Sequence, residues 1–223
     1  MKAFDETWEE IHSSSEWGKY PSEDVIRFCA RNYYKVSPRN SVRILDFGCG
    51  GGSHTWYLSR EGFDTYAFDG SPSAVANTER LLKEEGLKAD LRVLDGIQVS
   101  YEDNFFDAVL DNVCIYANTL ENIKQMYKEC YRILKPSGKL FTSVFTTETT
   151  GFGTGIMLEK NTYKNMTAGR LQGRGMAHFW DRDDLLHVLS ESGFVNVKMH
   201  HHVYDDEDVV VGMFVVTGEK NIV

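Results

Sequence analysis

Residues 42–54 read VRILDFGCGGGSH, in which a short apolar run meets an acid and then dissolves into four glycines within five residues. Each glycine costs about 0.5 to 1 kcal/mol in ordered structure relative to alanine. So much permissive backbone directly after a strand implies that something must approach the main chain closely. In an open parallel sheet that place is the crevice beyond the carboxyl ends of the strands, where strand order reverses. A helix starting there adds its free N-terminal amides.

The rest of the chain repeats the strand–helix theme. Residues 42–47 predict a first strand and 54–60 a helix that stops at Gly62. Residues 65–68 predict a second strand. Ser71-Pro72 opens a helix that runs to Glu85 and stops at Gly86. Strands follow at 91–94 and 106–110, and Ile123, Met126, Tyr127, Cys130, Ile133 and Leu134 keep helical spacing. Lys135 to Gly138 reads as a turn into a fifth strand at 140–145. A helix at 183–192 then leads to strands at 195–203 and 209–216, joined only by Tyr204 to Asp208. So short a connection permits an antiparallel pair and forbids a parallel crossover. The expected fold class is α/β, a Rossmann-like doubly wound sheet of seven strands, mostly parallel with an antiparallel terminal hairpin.

The chain has 223 residues and a formal net charge of -9, which argues against a phosphate-binding surface and so against nucleic acid as a partner. No apolar run approaches the roughly 20 residues of a membrane span, and the acidic start MKAFDETWEE has no signal-peptide core. A cytoplasmic protein without a membrane partner is expected, and a homodimer is compatible with the chain. Four cysteines without any C-x-x-C indicate neither a zinc site nor a disulfide framework, so no metal is expected.

Acids fall at successive strand ends. Asp46 stands two residues before Gly48, giving D-x-G-x-G, which suits a cationic ligand group and not a pyrophosphate. Asp69 closes the second strand, where a carboxylate can accept both hydroxyls of a ribose. Asp95 closes the third and Asp111 the fourth. Acids along one rim suit a hydroxyl-rich, partly cationic ligand.

The series LDFGCGGG, then FDG at 68–70, LDG at 94–96, FDAVLDN at 106–112 and ILKPSGKL at 133–140 resembles class I S-adenosylmethionine-dependent methyltransferases of the broad small-molecule type. The resemblance covers about Val42 to Lys220, and the terminal hairpin matches that family's seven-stranded sheet. It implies S-adenosyl-L-methionine as cofactor. By resemblance Asp46, Gly48 and Gly50 border its methionine portion, with Cys49 a small packed side chain between them. Asp69 holds the ribose, beside Gly70 and Ser71. Asp95, Gly96 and Ile97 bracket adenine, and Asp111 with Asn112 lines the floor near the methyl group.

A sulfonium already carries a good leaving group, so the protein's task is to align a nucleophile and exclude water. A hydroxyl acceptor calls for a base, for which His178, Asp111 and then His54 are candidates. Acceptor specificity is expected outside the sheet. One such segment is an N-terminal helical cap over residues 1–41, with Trp17 and Tyr20 ahead of a helix opened by Pro21-Ser22-Glu23-Asp24. The other is a substrate-loop insertion at 147–181 within the methyltransferase domain of 42–223. This insertion has six glycines and carries Phe152, Tyr163, His178, Phe179 and Trp180, with a short helix expected at 161–168. Tyr116 completes the expected acceptor-contacting set.

The expected activity is methyl transfer to an oxygen or nitrogen of a small molecule, a sugar or nucleotide sugar being the suggested acceptor. Two other readings remain. The glycine loop with Asp69 partly satisfies the fingerprint of an NAD(P)-dependent oxidoreductase, although Ser53 replaces its third glycine. A noncatalytic protein binding S-adenosylmethionine or S-adenosylhomocysteine would use the same motifs.

Overall fold

The computed structural model describes residues 3–222. Two helices, α1 (Thr7–Ser14) and α2 (Glu23–Tyr33), precede the alternating part. That part comprises β1 (Arg43–Phe47), α3 (Ser53–Arg60), β2 (Asp64–Asp69), α4 (Pro72–Lys83), β3 (Asp90–Val93), β4 (Phe106–Asn112), α5 (Leu120–Ile133) and β5 (Leu134–Phe145). Three short strands follow, β6 (Ile156–Glu159), β7 (Thr162–Lys164) and β8 (Met176–His178). The chain then closes with α6 (Arg182–Glu191), β9 (Phe194–Asp206) and β10 (Val209–Lys220).

The main sheet has seven strands in the order β3-β2-β1-β4-β5-β10-β9. β10 runs antiparallel to both its neighbours, and the other pairings are parallel. Period-two alternation sets the two layers. On β1, Ile44 packs with Val25, Phe28 and Leu58 from α2 and α3, whereas Leu45 and Phe47 pack with Ile123, Met126 and Tyr127 from α5. Both faces are therefore covered, as near-continuous apolar strands require. Chain order reverses at β1, whose neighbours are β2 and β4, so the loop after β1 opens at the switch point.

Local signals explain the helix starts. The Ser71 hydroxyl accepts the Ala74 amide at 3.0 Å, with Pro72 in the first helical position. Gly52, at φ +86°, is the residue from which α3 departs.

Two expectations are corrected. Residues 135–138 do not end a turn before the strand. They bulge within β5, where Phe106 pairs Leu134 and Ala108 pairs Lys139, and Ser137 takes φ +62°. Residues 161–168 do not form a helix. Asn161 adopts φ +61°, a conformation asparagine tolerates, and closes Glu159 onto Thr162, so β6, β7 and β8 make a second antiparallel sheet. Helix α1 had no counterpart among the elements expected from sequence.

Candidate active site

The strand ends converge on one cavity of about 560 Å³, inside the about 300–1,000 Å³ range of small-molecule sites. Its floor is the glycine loop. Gly48 adopts φ +73°, and a Cβ there would lie 2.0 Å from Cys114 Sγ, so no other residue fits. Gly51 serves the protein's own lid, since a Cβ would stand 2.4 Å from Trp17 Cβ.

Asp69 stands at the end of β2. One carboxylate oxygen accepts the Gly50 amide and the other the Ser71 amide, each at 2.9 Å, which fixes the group at the cavity wall. Burial raises its pKa, opposed by those two amides and by His12. Asp95 also lines the cavity. Its Oδ2 accepts the amides of Ala3 at 2.7 Å and Phe4 at 3.2 Å, and its Oδ1 accepts that of Ile97 at 3.2 Å. Phe4 lies over Gly70 and, with Phe47, Leu94, Gly96 and Met126, gives this end an apolar slot.

Helix α1 closes the cavity. Glu9 accepts hydrogen bonds from the Ser71 hydroxyl, the Ser73 amide and the Ser73 hydroxyl, tying α1 to the start of α4. Trp8, His12 and Trp17 follow one another ring against ring over the glycine loop. His12 is buried with Nδ1 unpartnered among the described residues, and burial lowers its pKa, leaving it neutral at pH 7.

The structure brings Gly48, Cys49, Gly50, Asp69, Gly70, Asp95, Gly96, Asn112, Trp17 and Tyr116 to the wall of this one cavity. The other expected residues sit elsewhere. Asp46 lies within β1 with its carboxylate accepting the Thr55 hydroxyl at 2.6 Å, and burial pushes its pKa up to about 6. Asp111 is fully buried and accepts from the Cys114 and Ile115 amides at 3.0 Å and the Thr142 hydroxyl at 2.6 Å, also with a pKa near 6 from burial. With these three donors and no exposed surface, Asp111 shapes the turn after β4. That turn puts Val113 at φ +52°, a strained position for a β-branched residue, on the cavity wall. Ser71 caps α4, and Ile97 follows the Asp95 turn without facing the cavity.

His178 is buried in β8. Its Nδ1 bonds the Thr162 hydroxyl at 2.7 Å, its ring packs on Trp180, and burial pushes its pKa down to about 4. Its amide donates to the Tyr116 carbonyl at 2.8 Å, so it supports the wall without forming it. Trp180 is equally buried, Tyr163 packs with Phe152 and Phe179, and Tyr20 is 81% exposed against Trp56. The aromatics of the insertion thus join the hydrophobic core on the α5 side of the sheet. His54 does line the cavity; its Nε2 accepts the Ser22 amide at 3.3 Å and burial lowers its pKa to about 4.

Residues 45–142 match the family described as Methyltransferase domain. Residues 45–142 are a methyltransferase domain, built on the fold of S-adenosylmethionine-dependent methyltransferases. This methyltransferase domain is 25% identical over 203 residues to the sterol 24-C-methyltransferase ERG6A of Gibberella zeae, covering 85% of the chain and 49% of that relative. It is 24% identical over 125 residues to a ubiquinone biosynthesis O-methyltransferase of Agrobacterium fabrum, covering 56% of the chain and 49% of the relative. The chain thus spans about half the length of these curated relatives. Among solved structures, a SAM-dependent methyltransferase from Methanosarcina mazei superposes with a TM-score of 0.69 at 19% identity, over 86% of this chain and 97% of that one.

Several residues around the methyltransferase cavity escaped the sequence reading, namely Phe4, Asp5, Trp8, His12 and Arg174. The one available signal was Trp8 and His12 at i, i+4 in TWEEIHSS.

Proposed function

We propose that the chain is an S-adenosylmethionine-dependent methyltransferase acting on an oxygen or nitrogen of a small molecule, with a sugar or nucleotide sugar as the acceptor suggested by its sequence. The carrying observation is Asp69. Its two oxygens are each anchored by one backbone amide, and both keep a lone pair beside the glycine loop, the pair of acceptors a ribose diol requires.

The cofactor fits the remaining chemistry. The apolar slot of Phe4, Phe47 and Met126 suits a purine, and Asp95 Oδ1 retains acceptor capacity for an exocyclic amine beside the Ile97 amide. Gly48 to Gly50 present backbone for the methionine portion. When bound, S-adenosylmethionine supplies an electrophilic methyl group on its sulfonium.

The chain's own residues then orient the acceptor and exclude water. Trp8, Trp17 and Tyr116 line the same cavity, and their rings keep water from it. His12 and His54 are the two imidazoles in the wall, and both are neutral at pH 7 because burial lowers them. A base for a hydroxyl acceptor is to be sought between these two. Four unpaired cysteines support a cytoplasmic setting.

Calorimetric titration with S-adenosylmethionine, S-adenosylhomocysteine and NADH tests this reading. Micromolar binding of the first two without NADH is expected. Binding of NADH alone would make the glycine loop a dinucleotide site and overturn it. Tight cofactor binding with no turnover across an acceptor screen would favour the noncatalytic binder.

A further inference from the structure

We propose that Arg174 recognises an anionic group, a carboxylate or a phosphate, carried by the methyl acceptor. The inference rests on reading the cavity as a methyltransferase site, and it adds the chemical class of the acceptor.

Arg174 lies in the insertion between β7 and β8, held by a turn in which its amide donates to the Leu171 carbonyl at 3.1 Å. It is half-buried and lines the cavity. Its guanidinium carbon stands 5.3 Å from the Trp17 ring centroid, so the indole supports one face of the group and leaves its N–H edges free. Among the described residues no carboxylate lies within ion-pair distance of it. The other arginine of the wall, Arg170, is bonded to Asp206 at 2.6 Å. Asp5, the acid beside Gly175, is 3.8 Å from Lys164 and not paired with Arg174.

This lack of a partner is out of character for the chain. With 33 acids to 24 bases, an arginine has carboxylates in excess to choose from. The other unpaired arginines among the described residues, Arg31, Arg80 and Arg182, are exposed and solvated by water. A half-buried guanidinium without an acceptor is costly to leave unmet. Its charge is felt across the cavity, where it favours the neutral form of His12 and the ionised form of Tyr116. The Tyr116 hydroxyl also makes no hydrogen bond among the described residues, leaving a second donor on the same wall.

The cavity is thus electrically polarised. Asp69 and Asp95 supply the negative charge of its wall and Arg174, stacked on Trp17 and sharing that wall with Tyr116, the positive charge. A planar fork of donors matches a carboxylate or phosphate in bidentate fashion. A neutral acceptor would leave that fork unsatisfied.

Benzoate, phenyl phosphate and neutral methyl benzoate serve as probes, titrated by calorimetry into the ligand-free chain and into the chain saturated with S-adenosylhomocysteine. At least one anion is expected to bind about tenfold or more tighter than the ester, with the preference weakening as salt is raised. Whichever anion prevails identifies the source as carboxylate or phosphate. Arg174→Ala should abolish the preference while S-adenosylhomocysteine affinity stays within about twofold, and Arg174→Lys should retain part of it. Equal binding of ester and anions, no binding of either anion at millimolar concentration, or a retained preference in a folded Arg174→Ala variant would overturn the proposal. Failure of the wild-type chain to bind S-adenosylhomocysteine would instead refute the methyltransferase reading, and the titrations of the ligand-free chain would still decide the role of Arg174.

Discussion

Three aspartates at or near strand ends show how one residue type takes different work from its surroundings. Asp46 and Asp111 are enclosed, and their oxygens fasten β1 to α3 and β4 to the following turn. Asp69 is held by the Gly50 and Ser71 amides and still faces the cavity. Removing it eliminates two charge-assisted hydrogen bonds to a ribose, each worth about 1.5 to 3 kcal/mol. Asp69→Ala should therefore weaken S-adenosylhomocysteine binding by about tenfold or more. Calorimetry on a variant of unchanged melting behaviour checks this, and undiminished affinity would remove Asp69 from the site. Sequence alone shows an acid at a strand end. Which acid keeps a face to the cavity depends on partners such as Thr55 and Thr142, which no spacing rule supplies.

Helix α1 is held by hydrogen bonds and rings rather than by an apolar stripe. Glu9 reaches Ser71 and Ser73 across to α4, and these bonds hold its pKa below the usual carboxylate range. Glu9→Ala should leave the seven-stranded sheet intact but raise amide exchange through Thr7–Ser14 and speed S-adenosylhomocysteine release. Exchange rates in that helix equal to wild type would show that the rings alone retain it. The same chemistry explains why α1 was not legible. TWEEIHSS has only Trp8 and Ile11 as apolar residues, too few for a periodic signal. β6 was hidden for a related reason, as Ile156, Met157 and Leu158 are all substantially exposed and show no alternation. The central strands of the main sheet and their helices were legible because they bury apolar faces and end at glycine, proline or serine signals, whereas the largely exposed β3 and β9 were legible through their valines and leucines and the turns that bound them. His178 and Trp180 were expected to contact the acceptor, but aromatic content does not distinguish a substrate loop from a segment that packs into the main core.

The whole molecule carries two opposed sets of buried titratable groups. Burial pushes Asp46 and Asp111 from 3.8 up to about 6, and pushes His54 and His178 from 6.5 down to about 4. The folded state binds more protons at the aspartates than the unfolded chain does between about pH 4 and 6, so acidification through that window stabilises the fold through them. At the histidines the unfolded chain binds more protons between about pH 6.5 and 4, so the same acidification destabilises the fold. A shift of about two units corresponds to roughly 3 kcal/mol, so each set is large beside a typical stability of about 5–15 kcal/mol. Because the sets are similar in size and opposite in sign, these four groups together should change the unfolding free energy of the wild type little between about pH 6.5 and 4, and the substitutions below are read as differences from the wild-type slope. Single substitutions should expose the balance. Asp46→Asn removes one stabilising proton uptake, so that variant should lose stability on acidification. His178→Asn removes one opposing term, so that variant, less stable at neutral pH through loss of the Thr162 contact, should gain stability as the pH falls. Urea unfolding of the three proteins across this range reads the slopes directly, and parallel curves would show that these buried groups do not titrate as their surroundings dictate.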